Sequence, residues 1–296
     1  MDEQVVHFHS DGFRLEAGLY RRALDQDRAP AIVFCPGSRV TRRTPYYADY
    51  VAALVEAGFT VLLIDYRGWG GSEGPEGALF PLEQVADVRN AVTYLEGRDD
   101  VDGRRINVLG VSMGGAHAMV AAALDERIAA VAAVLSPMDG AEMLRSSRRE
   151  HEWREFQALI AEDRHRRVAT GEGGTIDGFA PPTPERRATA ALAADSIPPL
   201  PIACAEALMD YRPIDLVDRI APRAALWITA TADPVCPPEH SRLAYAAAHA
   251  PKRLVEIESG EHYGTYTGHS AEIVGEAVAW FREHGHRPEL RTIEES

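Results

Sequence analysis

A serine set between glycines, Gly110-Val111-Ser112-Met113-Gly114, is the pattern in this chain best suited to covalent chemistry. It lies where Ile106 to Val111, apolar enough for a buried strand, gives way to the small residues Gly115 to Leu124, which suit a helix. At such a junction a serine can be forced onto a tight turn with its hydroxyl exposed, and glycines at 110 and 114 remove side chains that would collide as the chain folds back. A serine hydroxyl is a weak nucleophile at neutral pH, so it needs a histidine to take its proton and a carboxylate to orient that histidine. Asp233, in Thr229-Ala230-Thr231-Ala232-Asp233-Pro234, and His262, in Ser259-Gly260-Glu261-His262-Tyr263, each follow the end of an apolar run. The plainer roles are an N-capping serine, a turn-capping aspartate and a surface-loop histidine. Three residues after three strand ends, in the order Ser, Asp, His, favour the chemistry.

Acyl transfer through a serine also requires two N–H donors aimed at the developing oxyanion. Met113, directly after the serine, supplies one. The loop Pro36-Gly37-Ser38-Arg39, after the apolar run Ala31 to Cys35, supplies the second, with Ser38 the choice and Arg39 its neighbour.

The elements that must position these residues alternate. Val5 to Ser10 and Phe13 to Ala23 flank Asp11-Gly12 and predict an antiparallel hairpin. Ala31 to Cys35, Thr60 to Ile64, Ile106 to Val111, Ile128 to Leu135, Ala224 to Thr229 and Arg253 to Ile257 predict strands. Helices are predicted at Pro45 to Ala57, Pro81 to Leu95, Gly115 to Leu124, Pro238 to Ala250 and Ala271 to His284. Such alternation implies right-handed crossovers and a mostly parallel, doubly wound sheet, an α/β fold with an antiparallel start. After Ser136-Pro137 the rhythm breaks. A polar helix over Ala141 to Val168, a Gly/Pro stretch from Gly171 to Pro184, and an Ala-rich piece before Pro198-Pro199 predict an insertion over 137–212. Segments 1–136 and 213–285 form one core, and 286–296 a loose tail. Because the insertion leaves and rejoins the carboxyl edge of the sheet, it is expected to cap the site. Trp153 and Phe156, three residues apart, either wall an acyl pocket or pack the helix.

These motifs resemble the α/β-hydrolase superfamily, specifically its dienelactone-hydrolase-like and prolyl-oligopeptidase-like relatives, over nearly the whole chain. Asp65-Tyr66-Arg67-Gly68-Trp69-Gly70-Gly71-Ser72 looks like the family's Asp-x-Arg-Gly-x-Gly-x-Ser loop, which generally buttresses the site. Pro234 to Pro238 and His262-Tyr263 are similar to familiar flanks, and Tyr263 joins Arg39, Trp153 and Phe156 as a candidate substrate contact. Pro36 departs from the family, in which many members carry histidine before that glycine. The resemblance implies a serine hydrolase fold without fixing the acyl group.

Composition narrows the partners. The 296 residues are 46% hydrophobic, enough for a core without staples. The net charge of -14 repels a phosphate backbone, and no apolar run approaches the length of a bilayer span, so neither nucleic acid nor membrane is an expected partner. The acidic start Met1-Asp2-Glu3 does not resemble a signal peptide, and Cys35, Cys204 and Cys236 suit reduced thiols, so a cytoplasmic setting is expected. His7 with His9 and His284 with His286 lack a third metal ligand nearby, so no metal or cofactor is expected. The arginines from Arg145 to Arg167 alternate with acids at helical pairing distances, which suits a solvated face more than an anion site. The expected activity is hydrolysis of a carboxylic ester of a small acyl substrate through an acyl-enzyme. Thioester hydrolysis, acyl transfer and carbon–carbon cleavage of a diketone stay open, as does oligomeric state, homodimer included.

Overall fold

The computed structural model describes residues 3–22, 28–178 and 198–287. Strands β1 (Gln4–Ser10) and β2 (Phe13–Tyr20) form the predicted hairpin, with Asp11 and Gly12 both at positive φ in its turn. Then come β3 (Ala29–Cys35), α1 (Tyr47–Glu56), β4 (Thr60–Ile64), α2 (Pro81–Glu96), β5 (Val101–Val111), α3 (Met113–Leu124) and β6 (Ala130–Val134). After the 137–212 segment follow β9 (Ala224–Ala230), α7 (Pro238–Ala247), β10 (Lys252–Ile257), α8 (Tyr263–Gly268) and α9 (Ser270–His284). The eight strands run in the order β1-β2-β4-β3-β5-β6-β9-β10, antiparallel from β1 to β4 and parallel thereafter.

Both faces of the parallel part are covered, which is why its inner strands are largely apolar rather than alternating, whereas the edge strand β10 carries Lys252, Arg253 and Glu256. Strand β4 is buried at all five positions and β9 at all seven. One face carries α1 and α9, with Trp280 and Phe281 of α9, over Phe34, Leu63, Leu109 and Ile228; the other carries α2, α3 and α7 over Val33, Leu62, Val108, Val131 and Trp227. Helix α3 is buried at every residue from Met113 to Ala122, and its alanines and glycines allow that depth.

Between β6 and β9 the expected single polar helix is two: α4 (Gly140–Ser146) and α5 (Glu150–Thr170). The break falls at Ser146 and Ser147, whose hydroxyls donate back to the carbonyls of Met143 and Leu144, after which Glu152 accepts from the Arg149 N–H to start α5 afresh. The two-residue strands β7 (Thr175–Ile176) and β8 (Leu200–Pro201) pair, and α6 (Ile202–Met209) packs against α4, α5 and α2. The predicted Ala-rich piece, part of the Gly/Pro stretch and most of the tail lie outside the described residues. The ends of the segment adjoin each other: the Ile214 N–H donates to the Met138 carbonyl at 3.0 Å, and the Gly140 N–H to the Tyr211 carbonyl at 2.9 Å. No described helix is long and apolar enough to cross a membrane.

Candidate active site

Ser112 sits between β5 and α3 with φ 51° and ψ −126°, a backbone region that side chains rarely occupy. Such strain, of order 1–3 kcal/mol, persists only where the surroundings enforce it. Here they do. The Ser112 N–H donates to Val134 of β6 at 2.8 Å, and its carbonyl accepts from Gly115 at 3.0 Å. A Cβ on Gly110 would overlap the Gly114 carbonyl, one on Gly114 the carbonyls of Cys35 and Pro36, and one on Gly115 the Ser136 hydroxyl. The turn is thus wedged between β3 and β6, and Ser112 is left partly exposed.

Asp233 and His262 arrive on loops after β9 and β10 that are tied together. The Thr231 and Ala232 N–H groups donate to the carbonyls of Ile257 and Ser259, and the Thr231 hydroxyl donates to the Ser259 carbonyl and accepts from the Ser259 N–H. Asp233 Oδ1 accepts from the N–H groups of Val235 and Cys236 at 2.7 and 2.9 Å, which turns Oδ2 toward His262 Nδ1 at 2.6 Å. His262 Nε2 then lies 3.1 Å from Ser112 Oγ. Asp233 and His262 are both buried, so their charge-assisted bond is shielded from water. The three residues chosen from the sequence come together in one hydrogen-bonded series. With Asp233 ionised, Nδ1 carries the imidazole proton and Nε2 presents its lone pair to the serine.

Beside the serine, the loop after β3 turns so closely that a Cβ on Gly37 would stand 3.4 Å from that of Ser112. The Gly37 N–H donates to the Tyr47 hydroxyl at 2.8 Å, which aims the loop. Among the described residues the N–H groups of Ser38 and Met113 have no acceptor. Arg39, at φ 61°, donates through Nη2 to the Pro198 carbonyl at 3.5 Å. The same loop is anchored farther on by Arg42, whose buried guanidinium pairs with Glu3, Glu16 and Asp65 and whose N–H donates to Asp65 Oδ1 at 2.7 Å. Burial pushes the Asp65 carboxyl up to about 6, against the pull of Arg42. Arg67 holds Asp87 through both Nε and Nη2, which ties this loop to α2.

The other candidates are dispersed. Tyr263 meets the His262 ring edge-on at 5.0 Å. Trp153 and Phe156 are buried on α5, 6.2 Å apart, with Arg145 and Arg148 over their rings; they share an apolar cluster with Met113, but no described ring contact or hydrogen bond joins them to Ser112, Asp233 or His262. His7 faces Glu16 across the hairpin at 3.4 Å, and His284 packs on Trp280. No three metal-ligating side chains gather among the described residues.

Two contributors escape a reading of the sequence. Tyr266 places its hydroxyl 3.2 Å from His262 Nε2, four residues on, along a helix that Gly264 and Gly268 conceal; the i, i+4 spacing was the available signal. His117, fully buried in α3, bonds Tyr211 through Nδ1 and Gln84 through Nε2, both at 3.0 Å, and so ties the nucleophile's helix to α2 and to the returning end of the 137–212 segment. Burial pulls this imidazole down to about 3.

The profile of the alpha/beta hydrolase family matches residues 32–277. The chain belongs to this family. It is 28% identical over 264 residues to an uncharacterized 31.7 kDa protein of the traX-finO intergenic region of Escherichia coli, covering 86% of this chain and 91% of that one. It is 26% identical over 306 residues to the thiohydrolase aneE of Aspergillus aculeatus, covering 94% and 92%. The alpha/beta hydrolase GrgF of Penicillium sp. sh18 superposes with a TM-score of 0.80 over 96% of this chain and 99% of its own, at 24% identity, a likeness of fold.

Proposed function

We propose that the chain is a serine hydrolase that cleaves a carboxylic ester through an acyl-enzyme. The observation that carries this reading is the series Asp233–His262–Ser112, bonded at 2.6 and 3.1 Å on a serine at positive φ. In this reading Ser112 Oγ attacks the acyl carbon while its proton passes to His262 Nε2, and Asp233 stabilises the imidazolium without taking the proton. The N–H groups of Met113 and Ser38 receive the oxyanion. The imidazolium then gives its proton to the departing alkoxide, leaving an ester on Ser112. Water, deprotonated at the same nitrogen, attacks that ester; the free acid departs and Ser112 regains its proton. No step calls for a metal or cofactor. The 137–212 segment serves as the cap, with Arg39, Trp153, Phe156 and Tyr263 toward the acyl group.

A thioester is the second reading, favoured by the likeness to a protein named a thiohydrolase. The same series serves it, since a thiolate leaves more readily than an alkoxide. A panel of esters, thioesters, lactones, amides and diketones, assayed with the wild type and Ser112→Ala, tests both. Turnover of esters that Ser112→Ala abolishes supports the first reading. A clear preference for thioesters selects the second, and activity of Ser112→Ala within tenfold of wild type overturns both.

A further inference from the structure

His262 Nε2 has one lone pair and two hydroxyls within reach: Ser112 Oγ at 3.1 Å and Tyr266 Oη at 3.2 Å. Both cannot donate to it fully. The two differ in surroundings. Tyr266 is fully buried, its ring stacks on Tyr46 at 5.6 Å, and its carbonyl accepts from the Tyr50 hydroxyl at 3.2 Å, so the phenol has a fixed place. Its hydroxyl has no described partner other than Nε2, and a buried hydroxyl proton left without an acceptor is costly. Ser112 is partly exposed, and its proton can turn to water. Burial holds the phenol proton in place far above neutral pH.

We propose that Tyr266 is a positioning residue: its phenol donates to His262 Nε2 in the resting site, holds the imidazole plane between Asp233 and Ser112, and gives up that lone pair to the serine as attack begins. The inference rests on the serine hydrolase reading for its place in the cycle, but not for the bond itself. When the imidazolium forms, Nε2 becomes a donor, and the same Oη becomes an acceptor only by leaving its own proton unpaired. Tyr266 therefore favours the neutral imidazole over the charged one. The groups facing this pair are Asp233 at Nδ1, the Tyr263 ring edge, and, around Tyr266 itself, Cys236, Tyr46 and Tyr50.

Removing the phenol donor therefore raises the protonation midpoint of His262, and strengthening the donor lowers it. The test uses Ser112→Ala as background, in which Tyr266 is the only described hydroxyl left on Nε2, and follows the His262 ring by NMR against pH. Adding Tyr266→Phe, which keeps the stacked ring, raises the midpoint by at least about half a pH unit, roughly a threefold change in proton affinity. Placing 3,5-difluorotyrosine at 266, a stronger donor, moves it the other way; this arm also serves if the Phe variant fails to fold. Tyr50→Phe, which frees only the Tyr266 carbonyl, leaves the midpoint in place. In the otherwise wild-type enzyme the acid limb of kcat/KM for a small activated ester moves with the same signs. Coincident midpoints in the Tyr266 and parent proteins, or a Tyr50→Phe shift as large as that of Tyr266→Phe, overturn the proposal. Failure of the hydrolase reading shows separately, as activity surviving Ser112→Ala.

Discussion

Acidification tests the bridge between α3 and the returning end of the insertion through His117. This imidazole is fully buried, accepts from the Tyr211 hydroxyl at Nδ1 and donates to Gln84 Oε1 at Nε2, and is neutral with both nitrogens engaged. Protonating it would turn the accepting nitrogen into a second donor facing a group already committed as a donor. Its midpoint is accordingly pulled by burial to about 3, whereas in the unfolded chain it lies at the ordinary 6.5. Between those values the unfolded state binds a proton that the folded state refuses, so stability rises with pH in this window and is lost as pH falls through it. At pH 5, one and a half units below the unfolded midpoint, the loss from this residue is about 2 kcal/mol, at about 1.4 kcal/mol per unit. Urea unfolding of wild type and His117→Gln at pH 7.5 and 5.0 isolates the term, because every other titrating group is common to both. The variant starts less stable, having lost a bridge, but wild type loses about 2 kcal/mol more than the variant over that interval. Parallel losses would refute the buried, neutral bridge.

Other perturbations reach the site more directly. Asp233→Asn keeps a side chain of the same shape yet favours the wrong imidazole tautomer, and a fall of roughly 10⁴ in kcat with an unchanged melting temperature is expected from ester kinetics and calorimetry. Gly114→Ala puts a methyl into the carbonyls of Cys35 and Pro36, displacing the loop that holds Ser38; kcat should fall at least about a hundredfold, the scale of one lost oxyanion donor, and a fall in melting temperature accompanies it. Trp153→Ala should alter the ranking of acyl chain lengths more than the rate with a very small ester; an unchanged ranking with a lower melting temperature assigns Trp153 to packing alone.

What could be read from the sequence follows from how local each signal is. Ser112 declares itself because its turn needs glycine on both sides within five residues, Asp233 because it follows the fully buried strand β9, and His262 because it follows the next strand, β10 at the sheet edge. The sheet was legible for the same reason, although β5 begins at Val101, five residues before its apolar stretch, because Val101 pairs with Ala29 across an irregularity in register. The roles of Tyr266, Tyr47 and His117 arise from contacts whose partners are set by the fold. Tyr47 is an apolar-face residue of α1 until Gly37 turns back onto its hydroxyl, and His117 is one polar residue in an alanine-rich helix until Gln84 and Tyr211 close on it. The split between α4 and α5 was hidden because two adjacent serines are compatible with a helix unless their hydroxyls bond backward.

The joined ends of the 137–212 segment make it behave as a part plugged into a socket. Met138 with Ile214, Gly140 with Tyr211, and the Arg212–Asp139 ion pair fasten both leads where they leave the sheet. Once the leads are clamped, the length of chain between them enters the free energy only logarithmically: doubling it costs roughly 0.6 kcal/mol. Between the leads the segment still touches the core, through α6 on α2 and through the bond of Tyr211 to His117. A foreign segment grafted there would have to end in the same two backbone pairs and keep a hydroxyl at 211 for His117, so Tyr211 belongs to the socket and not to the plug.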